Sequence, residues 1–400
     1  MKLRVLSLAI LLLSTSYASA QISDDVVRVG VLTDFSSVAR DNTGPGSLEA
    51  ARLAIEEFGP TVAGKKIELI FADHQNKADV GVRIAREWFE TGKVDAILDI
   101  ANSAIAIAVH NLAREKNKVV LLSAGASSVI TDKICSPNTM QFAFDTYSLS
   151  KVMASSMVQQ GGKSWFFITA DYAFGEALQN DATRFIKDAG GTVVGGVRSP
   201  LGTNDFSSFL LQAQSSKADV VALAMAGADT TNALKQASEF GLTRSKQRVV
   251  SLLMFVTDVR GVGLKDAQGT YLATSSYWDM NDETRAWSKK YIDRIKAAPT
   301  MIHTGVYGAL LHYLKAIDAA KSDAAETVMA KMRELPINDA FVKNGHLRED
   351  GRVIRDMYLA RVKSPENAKG PYDYLEIVQT VKGEDAFRPV SESQCPLLKK

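Results

Sequence analysis

The chain has 400 residues, with 47 Lys and Arg against 45 Asp and Glu. That near-neutral balance argues against a nucleic-acid partner, because holding a phosphate backbone needs a basic surface. The length exceeds what one hydrophobic core usually spans, so two domains are expected.

The first 20 residues carry Lys2 and Arg4, an apolar run Val5–Leu13 and the small residues Ala18-Ser19-Ala20. This is the three-part layout of a secretory signal, with cleavage expected before Gln21 and the periplasm as destination. The apolar run is about half of the roughly 20 residues a bilayer-spanning helix needs, and no later stretch reaches that length. Removal of the signal takes two basic residues and no acid, leaving 45 against 45. Neither Cys135 nor Cys395 lies near the cleavage point, which disfavours a lipid anchor.

Val27–Leu32 reads as a buried strand, and Ser47–Phe58 as a helix with Leu48, Ala51, Ile55 and Phe58 on one face. The alternation continues: strand 66–71, helix 80–91, strand 94–98, helix 104–115, strand 119–122. A turn-rich stretch, 123–139, leads to a short strand at 141–144, and a second alternation follows: strand 165–169, helix 173–189, strand 193–197, helix 206–214, strand 220–224, helix 230–240, then strands 249–253 and 270–273. Repeated βαβ units imply parallel sheets with helices on both faces. Three successive helices, 283–296, 303–320 and 324–334, precede an antiparallel pair, 357–362 and 374–381. The expected fold is α/β, with two lobes that each hold a mostly parallel sheet flanked by helices.

Cys135 and Cys395 both sit in proline-flanked, turn-like sequence. An oxidising compartment permits a disulfide between them, but sequence leaves two separate thiols open as well. A bond would tether the C-terminal tail, residues 385–400.

Several segments taken in order closely resemble the periplasmic branched-chain amino-acid-binding protein family, the type I solute-binding proteins of ABC importers. They are Val27-Arg-Val-Gly-Val-Leu-Thr33, Ala50-Ala-Arg-Leu-Ala-Ile-Glu-Glu57, Lys66-Ile-Glu-Leu-Ile-Phe-Ala-Asp-His-Gln75, Ser123-Ala-Gly-Ala-Ser127, Asp171-Tyr-Ala-Phe-Gly175 and Asp205-Phe-Ser207. The resemblance implies two lobes joined by three crossing strands that close on a small ligand, a monomer, and docking on an importer permease. It divides the chain into an N-terminal lobe (21–144 and 276–350) and a C-terminal lobe (145–275 and 351–384).

In open parallel sheets, ligands bind beyond the carboxyl ends of the strands. That rule selects Ala124, Gly125 and Ser127, whose small side chains let a ligand approach backbone N–H groups; the resemblance makes this segment a carboxylate contact. Asn102 and Ser103 are similar to the family's other contact to that carboxylate, with a helix N-cap as an equal reading. Tyr172 and Phe174 lie where the family places an aromatic wall, and Phe174 reads equally well as helix packing. Gly227 and Asp229 match a region where amino-acid binders supply an aromatic residue, which is absent here. Phe255 is near where those relatives place the acid that holds the ammonium; only Asp258 is close, and Asp229 reads as a substitute or as an ordinary helix-starting acid. These departures weaken the case for a branched-chain amino acid and leave an aromatic carboxylate open, with Phe35, Phe255, Tyr277 and Trp278 as apolar surface.

No Gly-x-Ser-x-Gly elbow, P-loop, Gly-x-Gly-x-x-Gly fingerprint or His-Glu-x-x-His pair occurs. The five histidines are dispersed, and His74 reads as a solvated loop residue at a strand end. Neither an enzyme nor a bound cofactor or metal is expected. The sequence favours import of a small carboxylate, with a ligand sensor feeding a membrane receptor as the competing role.

Overall fold

The structure, a computed structural model, describes residues 22–398, so the expected signal peptide lies outside the described residues. Strand β1 (Val26–Thr33) leads into α1 (Gly44–Phe58), β2 (Thr61–Val62), β3 (Lys65–Asp73), α2 (Ala78–Glu90), β4 (Ala96–Asp99), α3 (Ser103–Lys116), β5 (Val119–Leu122) and β6 (Thr139–Gln141). These strands form one sheet in the order β2-β3-β1-β4-β5-β6, parallel except for β2. Its central strands are buried on both faces, which is why Val119–Leu122 is apolar throughout and not alternating.

Helix α4 (Thr146–Gln159) then precedes β7 (Ser164–Ala170), α5 (Ala173–Asp188), β8 (Thr192–Ser199), α6 (Ser207–Ser215), β9 (Val220–Ala224), α7 (Ala228–Glu239) and β10 (Arg248–Ser251). The second sheet runs β10-β9-β7-β8 and is wholly parallel. Both sheets have a point where the chain reverses its direction of travel across the strands, between β1 and β4 in one and between β7 and β9 in the other. Such switch points leave a gap at the strand ends.

Helices α8 (Val256–Val262) and α9 (Leu264–Ala267) lead to β11 (Tyr271–Thr274), which departs from the parallel rhythm. After α10 (Asp282–Ile295), α11 (Met301–Ala320), α12 (Ala325–Glu334), β12 (His346–Leu347) and β13 (Val353–Ile354), β11 pairs antiparallel with β14 (Met357–Val362), which pairs with β15 (Leu375–Val381). Helix α11 returns to pack along α1 of the first sheet, while α4 packs against β11 and β14. Helix α4 has no counterpart in the sequence reading. It buries Tyr147, Leu149, Val152, Met153 and Met157 but also Ser148 and Ser150, and polar residues on the buried side blur the 3.6-residue period.

Cys135 and Cys395 are disulfide-bonded, with Cα atoms 5.6 Å apart across 260 residues of sequence. The tail is held beside the bond by Asp132, whose Oδ1 accepts from Ser393 Oγ at 3.3 Å and from the Gln394 N–H at 2.5 Å. Among the described residues no helix is long and apolar enough to cross a membrane.

Candidate functional site

A crevice separates the carboxyl ends of the two sheets, and its lining residues, apart from Ile302 at the start of α11, come from the segments that follow the strands. From the first sheet come Val38, Ala39, Asn42 and Thr43 after β1, Asn76 after β3, Ala101 after β4, Ala124 after β5 and Phe144 after β6. From the second come Tyr172 and Phe174 after β7, Leu201 after β8, Ala226 and Gly227 after β9, and Leu253 and Phe255 after β10. The enclosed volume is about 40 Å³, room for a few waters, so admitting a ring-sized solute requires the walls to part. Larger cavities open along Arg40, Arg260 and Arg294 (about 540 Å³) and along Arg248 and Tyr271 (about 410 Å³). The first borders the same β1–α1 loop but has a charged rim, and the second lies at the opposite, amino end of β10 and β11, so neither is an uncharged strand-end site.

Among the described residues, none that lines the crevice carries a formal charge, and four are aromatic. Phe144 and Phe255 meet edge to face across the gap, with ring centroids 6.2 Å apart, and Tyr172 tilts against Phe174 at 5.9 Å. Burial pushes the Tyr172 phenol well above its usual range, so it remains a neutral hydroxyl. Two acids stand just behind the lining. Asp229 is buried and accepts from the Gly202 N–H at 3.1 Å; burial pushes its carboxyl up to about 6, and its Oδ1 has no partner among the described residues. Asp258 is buried at the start of α8 and accepts from the Phe255 N–H at 2.8 Å and from Asn42 Nδ2 at 3.3 Å; burial pushes it up to about 7.

Of the residues selected from sequence, Ala124, Tyr172, Phe174, Gly227 and Phe255 line the crevice together, while Asn102, Ser103, Gly125, Ser127 and Asp229 form the layer behind it. Asn102 caps α3, its Oδ1 accepting from the Ala104 and Ile105 N–H groups. Ser103 Oγ accepts from the Ser127 N–H at 3.2 Å, tying the two segments together. Gly125 sits so close to α3 that a Cβ there would press on Ala106 and lie 3.1 Å from the Ile100 carbonyl oxygen. Phe174 is 4% exposed, so packing and lining are both true of it.

Phe35, Tyr277 and Trp278 lie away from the crevice. Phe35 pairs with the exposed Phe71, while Tyr277 Oη and Trp278 Nε1 donate to the Tyr372 carbonyl. His74 is not solvated but fully buried, and burial lowers its pKa to about 4.

The sequence reading missed the loop between β1 and α1. Asp34 shapes it, accepting from the Ser36, Ser37 and Ala39 N–H groups, and it reaches across to the second sheet. The Ala228 N–H donates to the Val38 carbonyl at 3.0 Å, and Thr257 Oγ1 donates to Asn42 Oδ1. The strand-end rule applied to β1 would have found it.

A family model described as a periplasmic binding protein matches residues 26–370. A periplasmic binding protein from Burkholderia mallei is 44% identical and superposes with a TM-score of 0.92 over 94% of this chain and 100% of that one. A branched-chain amino acid ABC transporter periplasmic ligand-binding protein from Burkholderia xenovorans is 41% identical, with a TM-score of 0.83 over 93% and 99%. At 18% identity, sharing the fold alone, a solute-binding protein of an ABC transporter from R. palustris in complex with benzoate has a TM-score of 0.81 over 93% and 100%. The crevice between two switch points is thus the meeting place of two lobes of the type I binding-protein fold, and the chain belongs to the periplasmic binding protein family, whose members bind solutes for ABC transporters and are not enzymes.

Proposed function

We propose that this protein is the periplasmic solute-binding component of an ABC importer and that its crevice takes a small organic carboxylate with an apolar, preferably aromatic, body. The observation that carries this is the lining: Phe144, Tyr172, Phe174 and Phe255 supply flat apolar surface, and no lining side chain is charged. An amino acid brings a second charged group, an ammonium, which must also be paired and hydrogen-bonded when buried. A monocarboxylate with an apolar body needs only neutral donors, and the benzoate-bound protein of the same fold is a precedent for such a ligand. Closure of the lobes buries the solute, and the closed form docks on the permease as a monomer. In this account residues 1–20 are removed on export, the lobes comprise 21–144 with 276–350 and 145–275 with 351–384, and the tail 385–400 is tied to Cys135.

One observation favours an amino acid instead. Asp229 Oδ1 is buried without a partner just behind the lining, where a small side-chain movement would offer it to an ammonium. A thermal-shift screen with benzoate, 4-hydroxybenzoate, phenylacetate, leucine and phenylalanine separates the two. A ligand at about 100 times its dissociation constant stabilises the fold by about 2.7 kcal/mol. Shifts with the aromatic acids and not with leucine are expected; shifts with the amino acids alone would move the assignment to them, and silence across the panel would remove the carboxylate reading.

A further inference from the structure

Gln75 and Asn76, just past β3, both have left-handed backbone, with φ of 52° and 55°. Consecutive non-glycine residues rarely adopt this conformation, and it persists only where the surroundings over-determine it. They do so here: Asp73 Oδ1 accepts from the Gln75 N–H at 2.7 Å, and His74 Nδ1 accepts from the Asn76 N–H at 3.0 Å. His74 is a neutral imidazole in its buried position, so its Nδ1 is free to accept.

The side chain of Asn76 is fixed just as firmly. Asn102 presents its Oδ1 to the Ala104 and Ile105 N–H groups at 2.8 and 3.4 Å, which only an oxygen can do, so its Nδ2 points away from α3. That Nδ2 donates to Asn76 Oδ1 at 2.6 Å. The oxygen of Asn76 is thereby engaged, and what remains is its pair of Nδ2 hydrogens, which have no acceptor among the described residues. Asn76 lines the crevice. The N-terminus of α3 therefore dictates, through one intervening amide, that residue 76, which lines the crevice, has its oxygen engaged and its Nδ2 donors to spare.

We propose that Asn76 is the residue that holds the solute's carboxylate, donating from Nδ2, and that Asn102 is a positioning residue that keeps those donors facing inward. The inference rests on reading the crevice as a carboxylate site. It explains how an uncharged crevice selects an anion, since the fixed donors favour an oxygen and oppose an amine or amide N–H in the same place.

The test is calorimetric titration of the mature chain with benzoate, 4-hydroxybenzoate and leucine, each beside its primary amide, for wild type, Asn76→Asp and Asn102→Asp. Asn76→Asp replaces donors by a charged acceptor and is expected to weaken acid binding about 100-fold, while the amide, whose N–H can now donate, loses far less. Asn102→Asp still caps α3 but turns a carboxylate oxygen toward Asn76, which forces that amide to flip. The same change in the acid-to-amide ratio is expected from it, about 10-fold, with the melting temperature preserved. Wild type binding one of the acids with Asn76→Asp binding it equally well overturns the inference, as does a loss equal for acid and amide, which a merely structural role would give. Wild type binding none of the three acids overturns the carboxylate reading itself.

Discussion

The backbone N–H of Ala228 donates to the carbonyl oxygen of Val38 at 3.0 Å, so the two walls of the crevice are joined main chain to main chain. The preceding Gly227 has φ of 64°, and a Cβ there would overlap that same carbonyl oxygen. Close approach of the β1–α1 loop to the start of α7 therefore requires glycine at 227 twice over, for its backbone angle and for its lack of a side chain.

Gly227→Ala is expected to push the loop away and hinder closure. Gly190, with φ of 82° and nothing within 4 Å of an added Cβ, provides the control. Both alanine variants lose about 1 kcal/mol of stability from the left-handed angle. Only Gly227→Ala is expected to lose solute affinity, about 10-fold or more on the scale of one disrupted contact, and to keep a larger radius of gyration by small-angle scattering at saturating ligand. Equal affinities for the two variants would contradict this.

Asp258 makes the contact between the walls sensitive to pH. Burial, with the nearby Asp41 charge as a smaller contributor, raises its carboxyl from 3.8 to about 7, while Phe255, Asn42 and Thr231 donate to it. The native state thus holds a proton that the unfolded chain releases, so the stability from this group is complete below about pH 4 and is lost as pH rises through 7, at up to about 1.4 kcal/mol per pH unit. Asp99 and Asp229, each pushed up to about 6 by burial, add the same trend, so a difference measurement is needed. Between pH 5.5 and 8, wild type is expected to lose melting temperature relative to Asp258→Asn. Parallel curves would show that Asp258 does not titrate in this range.

Arg352 is fully buried beneath Phe387, its guanidinium 4.5 Å from the ring centroid. Its Nη1 donates to Gln141 Oε1 and to the Phe144 carbonyl at 3.1 and 3.0 Å, with Asp145 Oδ2 at 3.6 Å. It binds the end of the first sheet to the capped start of α4. Arg352→Met strands the Asp145 charge and is expected to cost about 3–5 kcal/mol in urea denaturation. A loss below about 1 kcal/mol, the level of an exposed ion pair, would contradict that role.

The disulfide closes a loop of 260 residues, for which chain-entropy arguments give about 5.6 kcal/mol. The Cys135→Ser, Cys395→Ser double variant is expected to melt at lower temperature and to lose its tail to limited proteolysis near Gln394, while solute affinity stays within about twofold, since neither cysteine lines the crevice. A large affinity loss would tie the tail to binding.

The buried strands were legible because parallel strands covered on both faces are apolar runs bounded by turns, as in Val119–Leu122 and Val220–Ala224. Boundaries drifted where an apolar residue precedes the first ladder bond, as at Val94 before β4. The segment at Thr270 was recognised as a strand, yet nothing in it shows that it pairs antiparallel with β14. In the crevice, the strand-end rule selects Ala124, while the family resemblance points to Tyr172, Phe174, Gly227 and Phe255. Asn76 also follows a strand, but its role was not legible, because it arises from a left-handed backbone and an amide contact with Asn102, and no periodicity or composition encodes either. The strand-end rule reaches the loop that holds Asn42 but not the role of that residue, which acts through partners more than 200 residues away.

The most direct test is a crystal structure of the mature protein grown with the acid that gives the largest thermal shift. That acid is expected, chemically intact, between Ala124 and Tyr172 with its carboxylate toward Asn76. Finding it instead in the cavity along Arg40 and Arg260, or finding it cleaved or otherwise altered, would contradict the account.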